Sequence, residues 1–152
     1  MYKRIGAALC VLVIAAGAAI AQTPAAAGWS YAYADGVATA TQRDERGRVT
    51  ATLSCQPPAG DLILTDFTLA RAARRATSAA VAIGGFSVTV PSAVERRGRA
   101  RVLVVHLPQR PPILAGVQPR DRVTVTVNNQ AHAYLEGSAT QMKNVAYACW
   151  GG

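Results

Sequence analysis

A chain of 152 residues, 51% hydrophobic, with 16 basic and 8 acidic side chains, holds enough apolar material for one packed domain and too little for two. Its formal charge of +8 favours anionic partners over cationic ones.

The first element predicted is an export signal. Lys3 and Arg4 form a basic start, an uncharged apolar run follows, and Ala19-Ile20-Ala21 gives the small-x-small pattern of a signal peptidase site. Pro24 ends any helix. The run is short for a membrane span, which needs roughly 20 residues. Residues 1–21 are therefore read as a signal peptide and 22–28 as a flexible leader. Residues 29–152 are read as one β-rich domain, with no transmembrane span after cleavage. Cys10 leaves with the signal, and its surroundings do not fit a lipidation site. The expected compartment is the periplasm or the outside of the cell. The domain keeps a net charge of +6, carried almost wholly by arginine, with Lys143 its one lysine.

Cys55 and Cys149 are then the remaining cysteines, in an oxidising compartment, and two allow one pairing. A Cys55–Cys149 bond is expected. It would pin the end of the chain against fraying.

From Trp29 the pattern has period two. WSYAYA (29–34) and VATATQ (37–42) flank the hairpin signal Asp35-Gly36. Trp29, Tyr31 and Tyr33 share one strand face, with core packing as the expected role and a sugar-stacking platform as the alternative. RDERGR (43–48) is a charged turn. In VTATLSC (49–55) Val49, Ala51, Leu53 and Cys55 share a face, which puts Cys55 toward the core. LILTDFTL (62–69) reads as a strand. Residues 70–80 read equally as helix or extended chain. VAI and FSVTV flank Gly84-Gly85, and Pro91 closes that run. SAVERRGRA (92–100) reads as a basic hairpin tip, RVLVVHL (101–107) as the most apolar strand, and 108–121 as a long loop with four prolines. RVTVTVN (122–128) alternates cleanly, and QAHAYL (130–135) returns after Asn128-Asn129. The closing stretch is amphipathic: Ala139, Met142, Val145, Ala146 and Cys149 fall on one helical face. Ser138 with Gln141 three positions later forms a predicted capping box, and Trp150 is placed to cover the disulfide. The fold predicted is mostly β, a small antiparallel sandwich or open barrel with a short C-terminal α-helix and one disulfide.

A domain that begins at Trp29, has a strand ending Leu53-Ser54-Cys55, and closes with strand, Leu-x-Gly-Ser, helix and cysteine from Leu135 to Cys149 resembles the small periplasmic β-sandwich proteins of proteobacteria related to invasion-associated locus B. It is also similar to the periplasmic domain of a type VI secretion accessory protein. The resemblance implies a sandwich and a non-enzymatic envelope role. It carries over no site residue.

Little in the chain points to catalysis or metal chemistry. His106 and His132 show no ligand spacing. There is no G-x-S-x-G turn. Asp44 and Glu45 are consecutive, so they face apart. No catalytic, metal or cofactor residue is assigned. The basic cluster Arg96, Arg97, Arg99 and Arg101 is the candidate anion contact, with a solvated hairpin as the plainer reading. The compartment, and aromatics that do not interleave with the basic residues, argue against nucleic acid. The function expected is a non-enzymatic exported binding or interaction protein of the bacterial cell envelope, its partner an envelope protein or an anionic surface. The alternatives are an inhibitor of an acidic wall-active or host hydrolase, and an enzyme of unrecognised type.

Overall fold

The structure is a computed structural model that describes residues 26–55 and 60–150. The predicted signal peptide lies outside the described residues.

Nine strands form one antiparallel sheet curled into a half-barrel, in the order β1-β2-β3-β4-β7-β6-β5-β8-β9. They are β1 (Gly28–Ala34), β2 (Val37–Arg43), β3 (Val49–Cys55), β4 (Leu62–Asp66), β5 (Ser78–Ile83), β6 (Phe86–Arg97), β7 (Ala100–Leu107), β8 (Val123–Val127) and β9 (Gln130–Ala133). A short 3-10 turn at Pro112–Leu114 interrupts the loop before β8, and helix α1 (Ser138–Trp150) closes the described chain.

Period-two alternation decides which face is inside. Ala38 and Ala40 of β2, Ala51 and Leu53 of β3, and Leu62 and Leu64 of β4 are buried. So are Leu103, Val105 and Leu107 of β7 and Val123, Val125 and Val127 of β8. Helix α1 packs on β1 to β4 from this concave side. It buries the face read from the sequence: Ala139, Met142, Val145, Ala146 and Cys149. The alanines of β2 and β3 leave room for it to approach. Cys55 and Cys149 are bonded, with Cα atoms 5.7 Å apart. Trp150 donates from Nε1 to Gly60 O at 2.9 Å, and the same oxygen lies 3.2 Å from Cys55 Sγ. Trp150 and the bridge thus share the Gly60 carbonyl.

Five expectations need correction. Strand β4 stops at Asp66 because its carboxylate turns the chain: Oδ1 accepts from Thr68 N at 2.6 Å and Leu69 N at 2.7 Å. Residues 70–80 are neither one helix nor one extended run. A single turn closes through Ala73 N to Leu69 O, Arg75 takes φ 63°, and β5 begins at Ser78. Pro91 does not end its strand. Strand β6 pairs with β5 through Pro91 and with β7 from Ser92 onward, so the missing N–H falls where the strand changes partners. Tyr31 and Tyr33 are not core residues. They stand on edge strand β1, 42% and 58% exposed, and only Trp29 packs inward. Ser138 does not cap its helix. Its hydroxyl accepts from Val123 N at 2.9 Å, Gln141 N bonds Gly137 O, and Gln141 Oε1 has no partner among the described residues.

Candidate functional site

The curl brings β9, at one edge of the sheet, across the core to β4 and β2. His132 lies opposite Val125, and Tyr134 N donates to Val123 O, so both rings follow the inward face of β8. They meet the carboxylate of Asp66, whose position two residues after Leu64 puts it on the same inward face. Asp66 Oδ2 lies 2.7 Å from His132 Nδ1 and accepts from Tyr134 OH at 2.6 Å. Oδ1 accepts from Thr68 Oγ1 at 2.7 Å as well as from the two backbone amides. Asp66 is fully buried. Burial alone would raise its pKa, but the donors at His132, Tyr134, Thr68 and Leu69 outweigh it, and the carboxyl is held below its ordinary range. Burial first, and then the Asp66 charge, push Tyr134 well above the ordinary phenol value.

Beside this network, Gln42 of β2 is 3% exposed and ties β2 to the segment after β9. Its Oε1 accepts from Leu135 N at 2.8 Å and its Nε2 donates to Thr50 Oγ1 at 2.7 Å. Trp29 meets the Tyr134 ring edge-on, 6.1 Å between centroids. Side chains, rather than a strand ladder, therefore draw the two edges of the half-barrel together. His132 opens onto a cleft of about 570 Å³ that it shares with Gln42, Thr50, Leu135 and the charged β2–β3 turn. That turn is held by Asp44, which accepts from Arg46 N and Arg48 N and ion-pairs with the Arg48 guanidinium at 2.7 Å.

The pairing of His132 with a buried carboxylate is the arrangement that orients an imidazole for proton transfer. Thr68 Oγ1 lies 3.0 Å from the same Nδ1 of His132 and donates to Asp66, so this hydroxyl stands on the carboxylate side of the ring. Among the described residues lining the cleft, the one hydroxyl is that of Thr50, already bonded to Gln42. No group of three or more His, Cys, Asp or Glu among the described residues is placed to hold a metal ion. No helix among them is long and apolar enough to cross a membrane. Compared with protein-family models, curated proteins and solved structures, the chain matches none.

The predicted arginine cluster is divided by the fold. Arg96 and Arg101 are directly opposite on one face of the β6–β7 hairpin. Arg97 lies on the other face, 3.5 Å from the Glu95 carboxylate, and Arg99 is in the turn. All four are exposed. The cluster belongs to a larger feature that the sequence does not display. Strands β2, β4 and β6 finish at one end of the sheet, where β3 and β7 begin. That end gathers Arg43, Arg46 and Arg48 from the β2–β3 turn. The β4–β5 connection adds Arg71, Arg74 and Arg75, and the β6–β7 hairpin adds its four. Ten of the thirteen arginines among the described residues are there, with Asp44, Glu45, Asp66 and Glu95 as the acids. The remaining described residues carry four basic and four acidic side chains, so the whole excess charge lies at one end.

The sequence reading missed Asp66. Its signal was a lone acid in register with Leu62 and Leu64 on the buried face of a strand, a position that requires partners. Arg71 and Arg74 gave no signal until the turn that carries them was placed beside β7.

Proposed function

We propose that this chain is a non-enzymatic binding protein of the bacterial cell envelope, exported to the periplasm or beyond, that docks through its arginine-rich end onto an anionic partner. One observation carries the reading: the net charge of the domain is concentrated at a single end of the half-barrel. A charge of one sign gathered at one end orients the molecule toward an oppositely charged surface and speeds encounter. Exposed guanidiniums also suit phosphate and carboxylate groups geometrically. The hydroxyl beside His132, that of Thr68, faces the same ring nitrogen as Asp66 and gives its proton to that carboxylate, which favours a structural network over a nucleophile. The resemblance to the periplasmic β-sandwich proteins related to invasion-associated locus B agrees with an envelope role, and the Cys55–Cys149 bond agrees with an oxidising compartment.

The test is co-sedimentation of the purified domain with vesicles, with and without anionic lipid, at low salt and again near 0.5 M salt, where the screening length shrinks to roughly 4 Å. Binding that needs anionic lipid and is lost at high salt is expected. A domain that ignores anionic vesicles at low salt, and captures no acidic envelope protein on crosslinking in cells, would overturn the reading.

A further inference from the structure

Arg71 and Arg74 sit three positions apart on one turn, so their side chains leave it on the same side. With Phe67, Thr68, Ala70 and Arg101 of β7 they line a recess of about 320 Å³. No carboxylate lines it. Among the described residues no carboxylate lies within ion-pairing distance of Arg71, Arg74 or Arg101, whereas Arg48 and Arg97 at the same end have Asp44 and Glu95. Three like charges around one hollow repel each other, and the nearest acid, Asp66, lies buried behind Thr68 with its oxygens taken by its own donors.

The backbone under these arginines is fixed from two directions. Asp66 holds the start of the turn through Thr68 N and Leu69 N. Asn128 Nδ2, from the β8–β9 turn, donates to Ala72 O at 2.9 Å and Arg74 O at 3.3 Å. A ligand here would meet a frame already in place, which lowers the cost of ordering it. The Thr68 hydroxyl proton is committed to Asp66, so recognition falls to the guanidiniums. Planar forks of N–H donors match the oxygens of a tetrahedral oxyanion.

The geometry points to a binding site for a phosphate group, as a monoester or the free ion, in the recess of Arg71, Arg74 and Arg101. Three converging cations favour a group carrying about two negative charges over a singly charged carboxylate or phosphodiester. Arg96 is the cross-strand partner of Arg101 on the hairpin. This deepens the anionic-docking reading and rests on it.

The experiment titrates the purified domain with inorganic phosphate at low salt and neutral pH, following backbone amide resonances. One saturable site is expected, with shifts concentrated at 67–75 and around Arg101. Arg71→Ser and Arg74→Ser should each weaken it about tenfold, as removal of one charge-assisted bidentate contact does. Arg46→Ser, at the same end but outside the recess, should change it less than about twofold, and Arg74→Lys should fall between because it keeps the charge and loses the fork. Thermal midpoints of these surface variants should stay within about 2 °C of wild type, which separates lost binding from lost folding. A second arm compares vesicles containing phosphatidic acid with vesicles containing phosphatidylglycerol. A preference for the monoester that Arg71→Ser/Arg74→Ser removes assigns a lipid headgroup as the source; equal binding to both vesicles beside an intact phosphate site assigns a soluble phosphate. No saturable shift in the wild type, or one that the recess variants leave unchanged, overturns the site. If salt-sensitive vesicle binding persists in that case, the docking reading stands without this pocket. If vesicle binding is also absent, both fall.

Discussion

Tyr134 donates its phenolic proton to Asp66 at 2.6 Å, and both side chains are buried. The contact couples two opposite shifts. The folded state lowers the Asp66 pKa below 3.8, because its donors outweigh its burial, so the stability Asp66 contributes is present above the unfolded carboxylate range and is lost as pH falls through the lowered folded value. Tyr134 is shifted upward from 10.0 by burial and by the Asp66 charge, so its contribution is present below that pH and is lost as pH rises through the raised folded value. Denaturant midpoints should therefore hold a plateau between about pH 5 and pH 9 and decline on both sides. Tyr134→Phe should lower the plateau by roughly 1–3 kcal/mol, since it leaves an acceptor short of a donor, and should make the alkaline limb shallower. Asp66→Asn should cost at least as much and flatten the acid limb. An Asp66→Asn protein with an unchanged plateau and acid limb would show that this network does not tie β4 to β9.

The bond between Cys55 and Cys149 spans 94 positions and ties α1 to β3. Constraint of the unfolded chain by a loop of that length is worth roughly 4–5 kcal/mol in the chain-entropy account. Cys55→Ala/Cys149→Ala should lose a comparable amount, a large share of the total for a domain of this size. Intact mass of oxidised protein should rise by two hydrogens on reduction. Loss of less than about 1 kcal/mol in the double variant would mean that packing of α1 alone holds the chain end.

Where the sequence spoke in long periodic patterns it read correctly, and the reasons are local. Val123, Val125 and Val127 alternate with polar residues, and α1 repeats its apolar side at spacings of three and four. Such signals survive because one face of each element is buried. The errors cluster where a distant partner decides. Ser138 has the composition of a cap, yet its hydroxyl is taken by Val123 fifteen positions away, and Gly137 accepts the first helical bond instead. Pro91 reads as a stop because the strand's change of partner is invisible in one dimension. Tyr31 and Tyr33 alternate like core residues, but edge strand β1 extends past the cover that the helix provides. The concentration of charge was equally hidden. Three separate arginine groups become one only after the sheet order places their turns at the same end.

Val145 is fully buried on the inward side of α1. Val145→Asp would bury a charge without a partner, at a cost of several kcal/mol, comparable with the whole stability of the domain. Asn144 is the adjacent exposed residue, so Asn144→Asp introduces the same group in water and should move the thermal midpoint by less than about 3 °C. Circular dichroism melts of the pair decide the point. Similar midpoints would show that the bridge tethers a loose tail rather than a docked helix.

The segregation of charge can be separated from charge itself with two double variants that each remove two positive charges. Arg96→Ser/Arg101→Ser takes them from the crowded end, and Arg110→Ser/Arg120→Ser takes them from the loop that precedes β8. Near 0.15 M salt, exposed charges more than about 8 Å from a surface are largely screened from it. Only the arginines that face the partner then add to affinity. The first variant should weaken binding to anionic vesicles by about thirtyfold, as the loss of two contacts near 1 kcal/mol each implies. The second should stay within about twofold of wild type. Stability should move little in either, because all four side chains are exposed. Lowering the salt should narrow the gap between the variants, since the screening length grows and the distant pair begins to contribute. Equal losses at 0.15 M salt would reduce the arginine-rich end to a bulk charge effect, with no preferred face toward the partner.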